Sequence, residues 1–314
     1  MAAIYLNPLT DFGFKKLFGE EPHKDLLISF LNTLLPEHHH IANLQYTKNE
    51  YQGVTPTDRK AIFDLNCISA SGERFIVELQ KVKQLFFKDR SVYYSTFAIQ
   101  EQAQRGDWDY RLSAVYTIGI LDFLMDDAST EVLYYAQLKD QHNQLFYDKL
   151  TFIYLVLPRF TLQRRDLKTL QDKWLYAFKH LHELESIPTE LQESVFQRLF
   201  DIAQLSQFSK EERSAYEDSL KHYRDLKNAT DTARLEGAEE GFELGKQEGL
   251  EEGKELGKQL GLEEGKELGK QEGLEEGELR GRMKTAQAMV AKGMAVELVV
   301  ELTGLSLEQF QPSL

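Results

Sequence analysis

The sequence predicts an α/β protein whose mixed sheet is flanked by helices. Apolar residues recur at helical spacing in residues 22–35 and 86–105, and two strand-like apolar stretches, residues 62–68 and 74–80, lie between them. A nearly continuous apolar stretch at residues 113–123 follows, as expected of a buried strand. The order helix, strand, strand, helix, strand is typical of an α/β fold and not of a helical bundle.

Residues 126–228 continue this pattern with two more predicted strands and a helical stretch. The strands lie at residues 132–138 and 151–157, and residues 166–184 follow as an amphipathic helix. We therefore expect a core at residues 1–125, with residues 126–228 packed on it as an extension.

Composition restricts the class of protein. With 314 residues, of which 42% are hydrophobic, the chain is long and apolar enough to bury a large core. Its single cysteine, Cys67, excludes an internal disulfide and a zinc site built from several thiolates. No apolar run reaches the roughly 18 residues that cross a bilayer, and the N-terminus lacks a signal-peptide pattern. We therefore expect a cytoplasmic protein with no membrane partner.

The negative charge is concentrated near the C-terminus. The net charge is −14, and residues 229–314 contain 19 acidic and 10 basic side chains, which leaves −5 for residues 1–228. A local basic groove on the body is compatible with that balance. Net charge alone therefore does not exclude DNA as a partner.

A tandem repeat dominates the same region. Glycine stands at every fourth position from Gly237 to Gly281, giving 12 of the 20 glycines in the chain. The intervening residues favour helix, but each interior glycine costs about 1 kcal/mol relative to alanine. Residues 229–281 are therefore either a self-association helix in which small residues allow close approach, giving a homo-oligomer, or a partly helical solvated spacer. A small helical cap is predicted for residues 282–314.

Two acids lie on the predicted hairpin. Asp64 and Glu78 each stand among apolar neighbours, where an unpaired charge is expensive. Strand alternation places Glu78 and Gln80 on one face, and pairing of the two strands brings Asp64 near Glu78. Two such carboxylates repel each other unless a cation lies between them, and their oxygen atoms suit Mg²⁺ or Mn²⁺.

Asp64, followed after thirteen residues by Glu78-Leu79-Gln80, resembles the core of the PD-(D/E)XK nuclease superfamily, with Gln80 where lysine is commonest. More specifically, four segments resemble the Rpn family of bacterial recombination-promoting nucleases and putative transposases: residues 11–19, 58–60, 75–80 and 87–90. The resemblance covers about residues 5–125, and the glycine repeat is similar to that family's variable C-terminal half. It implies a restriction-endonuclease-like core.

The resemblance also implies an activity, that of a metal-dependent DNA endonuclease of low sequence specificity, linked to recombination, transposition or defence. In such an enzyme Asp64 and Glu78 hold Mg²⁺ or Mn²⁺, the Leu79 carbonyl completes the metal shell, and the ion activates water for attack on the phosphodiester. Asp11 and Lys15, from the N-terminal segment, are further expected site residues.

Gln80 orients water by hydrogen bonds but brings no positive charge to the transition state. A cation must therefore come from elsewhere in the chain, or the rate of the reaction must suffer. Lys81 and Lys83 have the wrong strand parity to share the Gln80 face. Lys15 or Lys16 is therefore the expected donor.

Structural alternatives stay open for these residues. In these alternatives, Glu78 forms an ion pair with Arg59 or Arg74, Asp11 caps the helix that follows it, and Lys15 and Lys16 are solvated. The alternative function is a nuclease-fold binding or scaffold protein, catalytically weak or inactive, that self-associates through its repeat. The glutamine at position 80 favours this alternative.

Overall fold

The computed structural model describes residues 3–51, 61–103, 106–125, 129–306 and 309. The chain forms two compact units, Met1–Ala233 and Arg234–Leu314. The helices are α1 Asp11–Phe18, α2 Lys24–Asn32, α3 Phe87–Gln100, α4 Leu170–His180, α5 Ser194–Ala203, α6 Lys210–Ala291 and α7 Val296–Thr303. The strands are β1 Leu44–Tyr46, β2 Glu50–Tyr51, β3 Ala61–Ile62, β4 Leu65–Ser69, β5 Arg74–Gln80, β6 Val115–Leu121, β7 Leu133–Lys139 and β8 Leu145–Val156.

Six of these strands form one mixed sheet in the order β1-β4-β5-β6-β8-β7, while β2 and β3 pair separately. The three central strands β5, β6 and β8 run parallel, and the outer pairs are antiparallel. The carboxyl ends of the parallel strands therefore meet at one edge of the sheet. This architecture confirms the predicted α/β class with a mixed sheet flanked by helices.

The hairpin of β4 and β5 is the part of the sheet that positions the acids. Leu65 lies opposite Val77 and Cys67 opposite Phe75, so the register continues to Asp64 opposite Glu78. The connecting turn contains Gly72 with φ +96°, a left-handed conformation that favours glycine. The predicted hairpin is therefore confirmed.

Helices cover both faces of the sheet. On one face Val77 and Leu79 of β5 belong to a large buried cluster with residues of α1, α2, α4 and α5. On the other face Ile76 packs with Phe63 and with Ala98 of α3. Because side chains alternate along β5, Glu78 and Gln80 point to the α3 side.

The first part of α6, up to Ala233, belongs to the same unit as the sheet. The Tyr216 hydroxyl accepts the Asn7 backbone N–H at 2.9 Å, and the Ser219 hydroxyl accepts the Phe12 N–H at 3.1 Å. These bonds join α6 to the segment around the start of α1.

In the second unit α6 contains the whole glycine repeat and ends at Ala291, so it extends into the predicted cap. Gly293 follows with φ +85°, and Ala286 packs with Val299 of α7 and Leu305 in a small apolar cluster. Within the described part of the chain, no helix combines the length and apolarity that a bilayer crossing requires. The division into four parts that the sequence suggested stays a prediction.

Candidate active site

Asp64 and Glu78 meet at the open end of the β4–β5 hairpin. The Asp64 backbone N–H donates to Glu78 Oε1 at 3.3 Å, and Gln80 Nε2 donates to Glu78 Oε2 at 3.4 Å. The Asp64 carboxylate in turn accepts the Leu79 backbone N–H at 2.6 Å. The structure thus brings together the three polar residues that the sequence pattern singled out.

The direction of the Leu79 carbonyl group follows from that of its N–H. The N–H and C=O of one strand residue point to the same side of the strand. Since the Leu79 N–H faces Asp64, its carbonyl is directed to the same side of β5. The register of the described pairs ends with Leu65 opposite Val77, so this carbonyl lies beyond the β4 ladder.

Burial raises the pKa values of both acids, and the charge of a neighbouring acid adds to each shift. Burial raises the pKa of Glu78 to about 8, with the nearby Asp64 charge acting in the same direction. Burial also raises the pKa of Asp64, and the Asp11 charge adds to this, while the Leu79 hydrogen bond and the charges of Lys15 and Lys81 oppose it. The pair is therefore costly to ionise without a further cation.

A purely structural ion pair for Glu78 is not formed with Arg74. The Arg74 guanidinium instead binds Glu101 at 2.5 Å. The other suggested partner, Arg59, and the 58–60 segment around it lie outside the described residues. The charge of Arg90, in the first turn of α3, acts on Glu78 and lowers the pKa that burial raises.

Asp11 is the first residue of α1, and it is not the cap of that helix. Thr10 is the cap, because its hydroxyl accepts the Gly13 N–H at 3.0 Å. The alternative in which Asp11 caps the helix is therefore wrong. Asp11 instead pairs with Lys15 at 3.0 Å, and both charges act on Asp64.

Two cavities adjoin Asp64. The strand-end cavity, of about 200 Å³, is lined by residues that include Asp11, Asp64, Gln80, Lys81, Arg90 and Leu226 of α6. The α1 cavity, of about 400 Å³, is lined by residues that include Asp11, Lys15, Lys16, Asp64 and Ser219. Asp11 and Asp64 line both cavities, so α1 and the first part of α6 enclose the site together with the sheet.

Lys16 and Lys81 have different surroundings in the structure. Lys16, one of the two expected donors, forms ion pairs with Glu20 at 3.2 Å and Glu212 at 2.9 Å. Lys81, which the parity argument excluded, lines the strand-end cavity with Asp64. Strand β5 ends at Gln80, so strand parity no longer applies to the next residue. Burial lowers the pKa of Lys81, and the charges of Asp11 and Asp64 oppose that shift.

Sequence reasoning also missed a partly buried acid at the same sheet edge. Asp122 directly follows β6, and its backbone N–H donates to the Gln80 carbonyl at 2.9 Å. Its carboxylate accepts the Tyr223 hydroxyl of α6 at 2.7 Å, and burial raises its pKa. The position directly after a buried parallel strand was the available signal.

The oxygen atoms at this site fit a small divalent cation. Among the described residues, no group of three or more His, Cys, Asp or Glu side chains is arranged to hold a metal ion. Mg²⁺, however, usually binds through one or two carboxylates and keeps several waters. Asp64 and Glu78, with the Leu79 carbonyl on the same side, match that smaller set. Their raised pKa values mean that ionising both carboxylates costs free energy, and a bound cation would offset that cost.

Comparison with known proteins agrees with this geometry. No curated protein and no solved structure matches the chain. Residues 8–233 match the model of a family described as PD-(D/E)XK nuclease family transposase. The match covers more than two thirds of the chain and ends where the sheet-containing unit ends. It confirms the predicted family, and the chain belongs to the PD-(D/E)XK nuclease family transposases.

Proposed function

We propose that this protein is a metal-dependent DNA endonuclease of low sequence specificity, acting in recombination, transposition or defence. The observation that supports the proposal best is the pairing of Asp64 with Glu78. Both acids are ionised only at a cost, and they are hydrogen-bonded at the end of a rigid hairpin beside a cavity. A site built only for stability would not place two repelling carboxylates together.

Each residue has a defined task in this proposal. Asp64 and Glu78, with the Leu79 carbonyl, hold Mg²⁺ or Mn²⁺, which supplies Lewis-acid activation of water and of the phosphate. The Leu79 N–H fixes the Asp64 carboxylate, and Gln80 orients Glu78 through its 3.4 Å hydrogen bond. Asp11 and Lys15 form an ion pair at the rim, where their charges tune Asp64.

Cleavage of supercoiled plasmid DNA by the purified full-length chain tests the proposal. We expect nicked and linear products with Mg²⁺ or Mn²⁺, none with EDTA, and at least about a 100-fold loss of rate in Asp64→Ala and Glu78→Ala. Equal cleavage by the wild type and both variants would show that the nuclease is a contaminant.

A scaffold protein that only binds DNA is the competing function, since Gln80 replaces the commonest lysine. The same experiment separates the two. A wild type that binds DNA but yields no product with either metal would favour the scaffold. The Arg74–Glu101 ion pair argues against a scaffold in which Glu78 serves only as the ion-pair partner of Arg74.

The proposal extends to location and assembly. A DNA substrate and a single buried cysteine, Cys67, agree with a cytoplasmic protein. We further propose that chains associate through the glycine repeat, which would bring two nuclease bodies together so that both strands of a duplex are cut.

A further inference from the structure

We propose that Lys81 supplies the positive charge that Gln80 lacks, by placing its ammonium group against the non-bridging oxygens of the scissile phosphate. The inference rests on the proposed endonuclease function and assigns a catalytic residue to the same site.

The position of Lys81 follows from where β5 ends. The strand stops at Gln80, and the chain leaves the sheet at the next residue. The alternation of side chains along a strand therefore does not apply to Lys81. Its side chain lines the strand-end cavity together with Asp64 and Gln80. Its side chain is partly buried, as expected of a lysine that packs its aliphatic stem and keeps its ammonium group toward water.

The lysines on α1 are already engaged with acids. Lys15 pairs with Asp11 at 3.0 Å, and Lys16 with Glu212 at 2.9 Å. Among the residues that the structure describes, Lys81 forms no ion pair. It lines the strand-end cavity together with Asp11 and Asp64, and the charges of both acids act on it.

Arg90 is the other cation that lines this cavity, but its guanidinium is already in contact with neighbouring side chains. Its guanidinium donates to Gln84 and lies 5.8 Å from the centre of the Tyr94 ring. Its charge acts on Glu78, whereas that of Lys81 acts on Asp64. Arg90 is therefore placed to bind the DNA backbone, and Lys81 to reach the reacting phosphate.

The reaction balances without a co-reactant other than water. A water oxygen bonds to phosphorus as one of its protons leaves to solvent, and the bond from phosphorus to the departing sugar oxygen breaks. That oxygen takes up a proton and leaves as an alcohol, and the other product is a phosphate monoester. Lys81 keeps its proton throughout and stabilises the charge that grows on the non-bridging oxygens.

Lys83 offers a matched control two residues away. It is exposed and lines neither cavity. Single-turnover plasmid cleavage with Mg²⁺ is compared for the wild type, Lys81→Met and Lys83→Met. Methionine keeps the length of the lysine stem, so folding is expected to survive, as checked by the melting temperature. We expect about a 100-fold lower rate for Lys81→Met, with Mn²⁺ affinity within about threefold of wild type. Lys83→Met should lose less than about threefold.

Chemical rescue separates a charge effect from a structural one. Lys81→Cys and Lys83→Cys are alkylated with 2-bromoethylamine, whose carbon bonds to the thiol sulfur as bromide leaves. This restores an ammonium group at nearly the lysine length. The native Cys67 is fully buried, and burial raises its thiol pKa to about 12, so it does not compete.

We expect alkylation to raise the Lys81→Cys rate at least about tenfold and to leave Lys83→Cys unchanged. If Lys81→Met or Lys81→Cys cleaves as fast as Lys83→Met, the inference about Lys81 is overturned, whereas the proposed endonuclease function still stands. A slow Lys81→Cys variant that alkylation does not rescue would also overturn it. A wild type without metal-dependent cleavage would remove the proposed function itself, and the inference with it.

Discussion

The Leu79 backbone N–H donates a 2.6 Å hydrogen bond to the Asp64 carboxylate, although Asp64 lies opposite Glu78 in the hairpin register. The Asp64 side chain thus accepts a backbone N–H of the neighbouring strand β5, just beyond the last described residue pair of β4 and β5. This bond fixes the carboxylate against the strand that provides Glu78, and it explains why the two acids stay together despite their repulsion.

Replacement of Asp64 should separate its charge from its hydrogen bond. Asp64→Asn keeps an oxygen acceptor for the Leu79 N–H but removes one of two repelling charges. We expect Mn²⁺ affinity to fall at least about 100-fold while stability at pH 8 is not reduced. Asp64→Ala leaves that N–H without its partner and should be less stable than Asp64→Asn by about 1–3 kcal/mol. Equal urea-unfolding free energies for the two variants would contradict this role.

The pH dependence follows from Glu78. Its pKa is about 8 in the folded protein against an ordinary value of 4.5. Between these values the folded protein holds a proton that the unfolded chain has lost. The metal-free protein should therefore lose stability as the pH rises from about 4.5 to about 8.

Glu78→Gln should make that decline shallower, as measured by urea unfolding across the pH range. Metal binding must show the opposite dependence, because the ligands bind as carboxylates. Mn²⁺ affinity of the wild type should thus rise up to about pH 8 and then level off. A pH-independent affinity would argue against Glu78 as a ligand.

The sequence predicted the hairpin and its acids because they depend on local rules. Alternation along β5 fixed the faces of Glu78 and Gln80, and the turn around Gly72 fixed the pairing of the strands. The position of Lys81 at the strand-end cavity was missed because it depends on where β5 ends, and strand ends are set by tertiary contacts. The ion pair joins Arg74 of β5 to Glu101, which directly follows α3, so no local sequence pattern indicated it.

The sequence also left open what Asp11 does, and a pair of variants tests the answer. Thr10 caps α1, whereas Asp11 forms an exposed ion pair with Lys15. Thr10→Ala should cost about 1 kcal/mol of folding stability, and Asp11→Asn less than about 0.5 kcal/mol. Denaturant titrations that rank the two variants in the reverse order would mean that Asp11 is the more important contact for the helix.

Tyr223 should stabilise the first part of α6 on the sheet edge. Its hydroxyl donates to the partly buried Asp122 carboxylate at 2.7 Å, and the Asp122 backbone N–H donates to the Gln80 carbonyl. Tyr223→Phe should therefore lower the free energy of unfolding by about 1.5–3 kcal/mol. The half-exposed Tyr93 provides the control, since Tyr93→Phe should change stability by less than about 0.5 kcal/mol. Equal losses would show that the Asp122 contact adds nothing specific.

The glycine repeat should control assembly. Deletion of residues 237–281 is expected to lower the oligomer mass measured by light scattering beyond the loss of the segment itself. It should leave Mn²⁺ binding at Asp64 and Glu78 unchanged, while double-strand cutting falls relative to nicking. An unchanged number of chains per particle would favour the solvated spacer.

Alanine substitutions test the repeat more sharply than deletion does, because they keep its length. A Cβ added at Gly249, Gly253, Gly257 or Gly261 meets no atom within 4 Å in the single chain. In an isolated helix each alanine should therefore stabilise by about 1 kcal/mol, and helicity measured by circular dichroism should rise. If the glycines form the seam between chains, the added methyl groups instead hold the helices apart. We expect the fourfold alanine variant to be more helical than the wild type and yet to dissociate at a higher protein concentration. Only a seam between chains makes helicity and oligomer stability change in opposite directions. A variant that gains helicity and keeps its mass would contradict the seam.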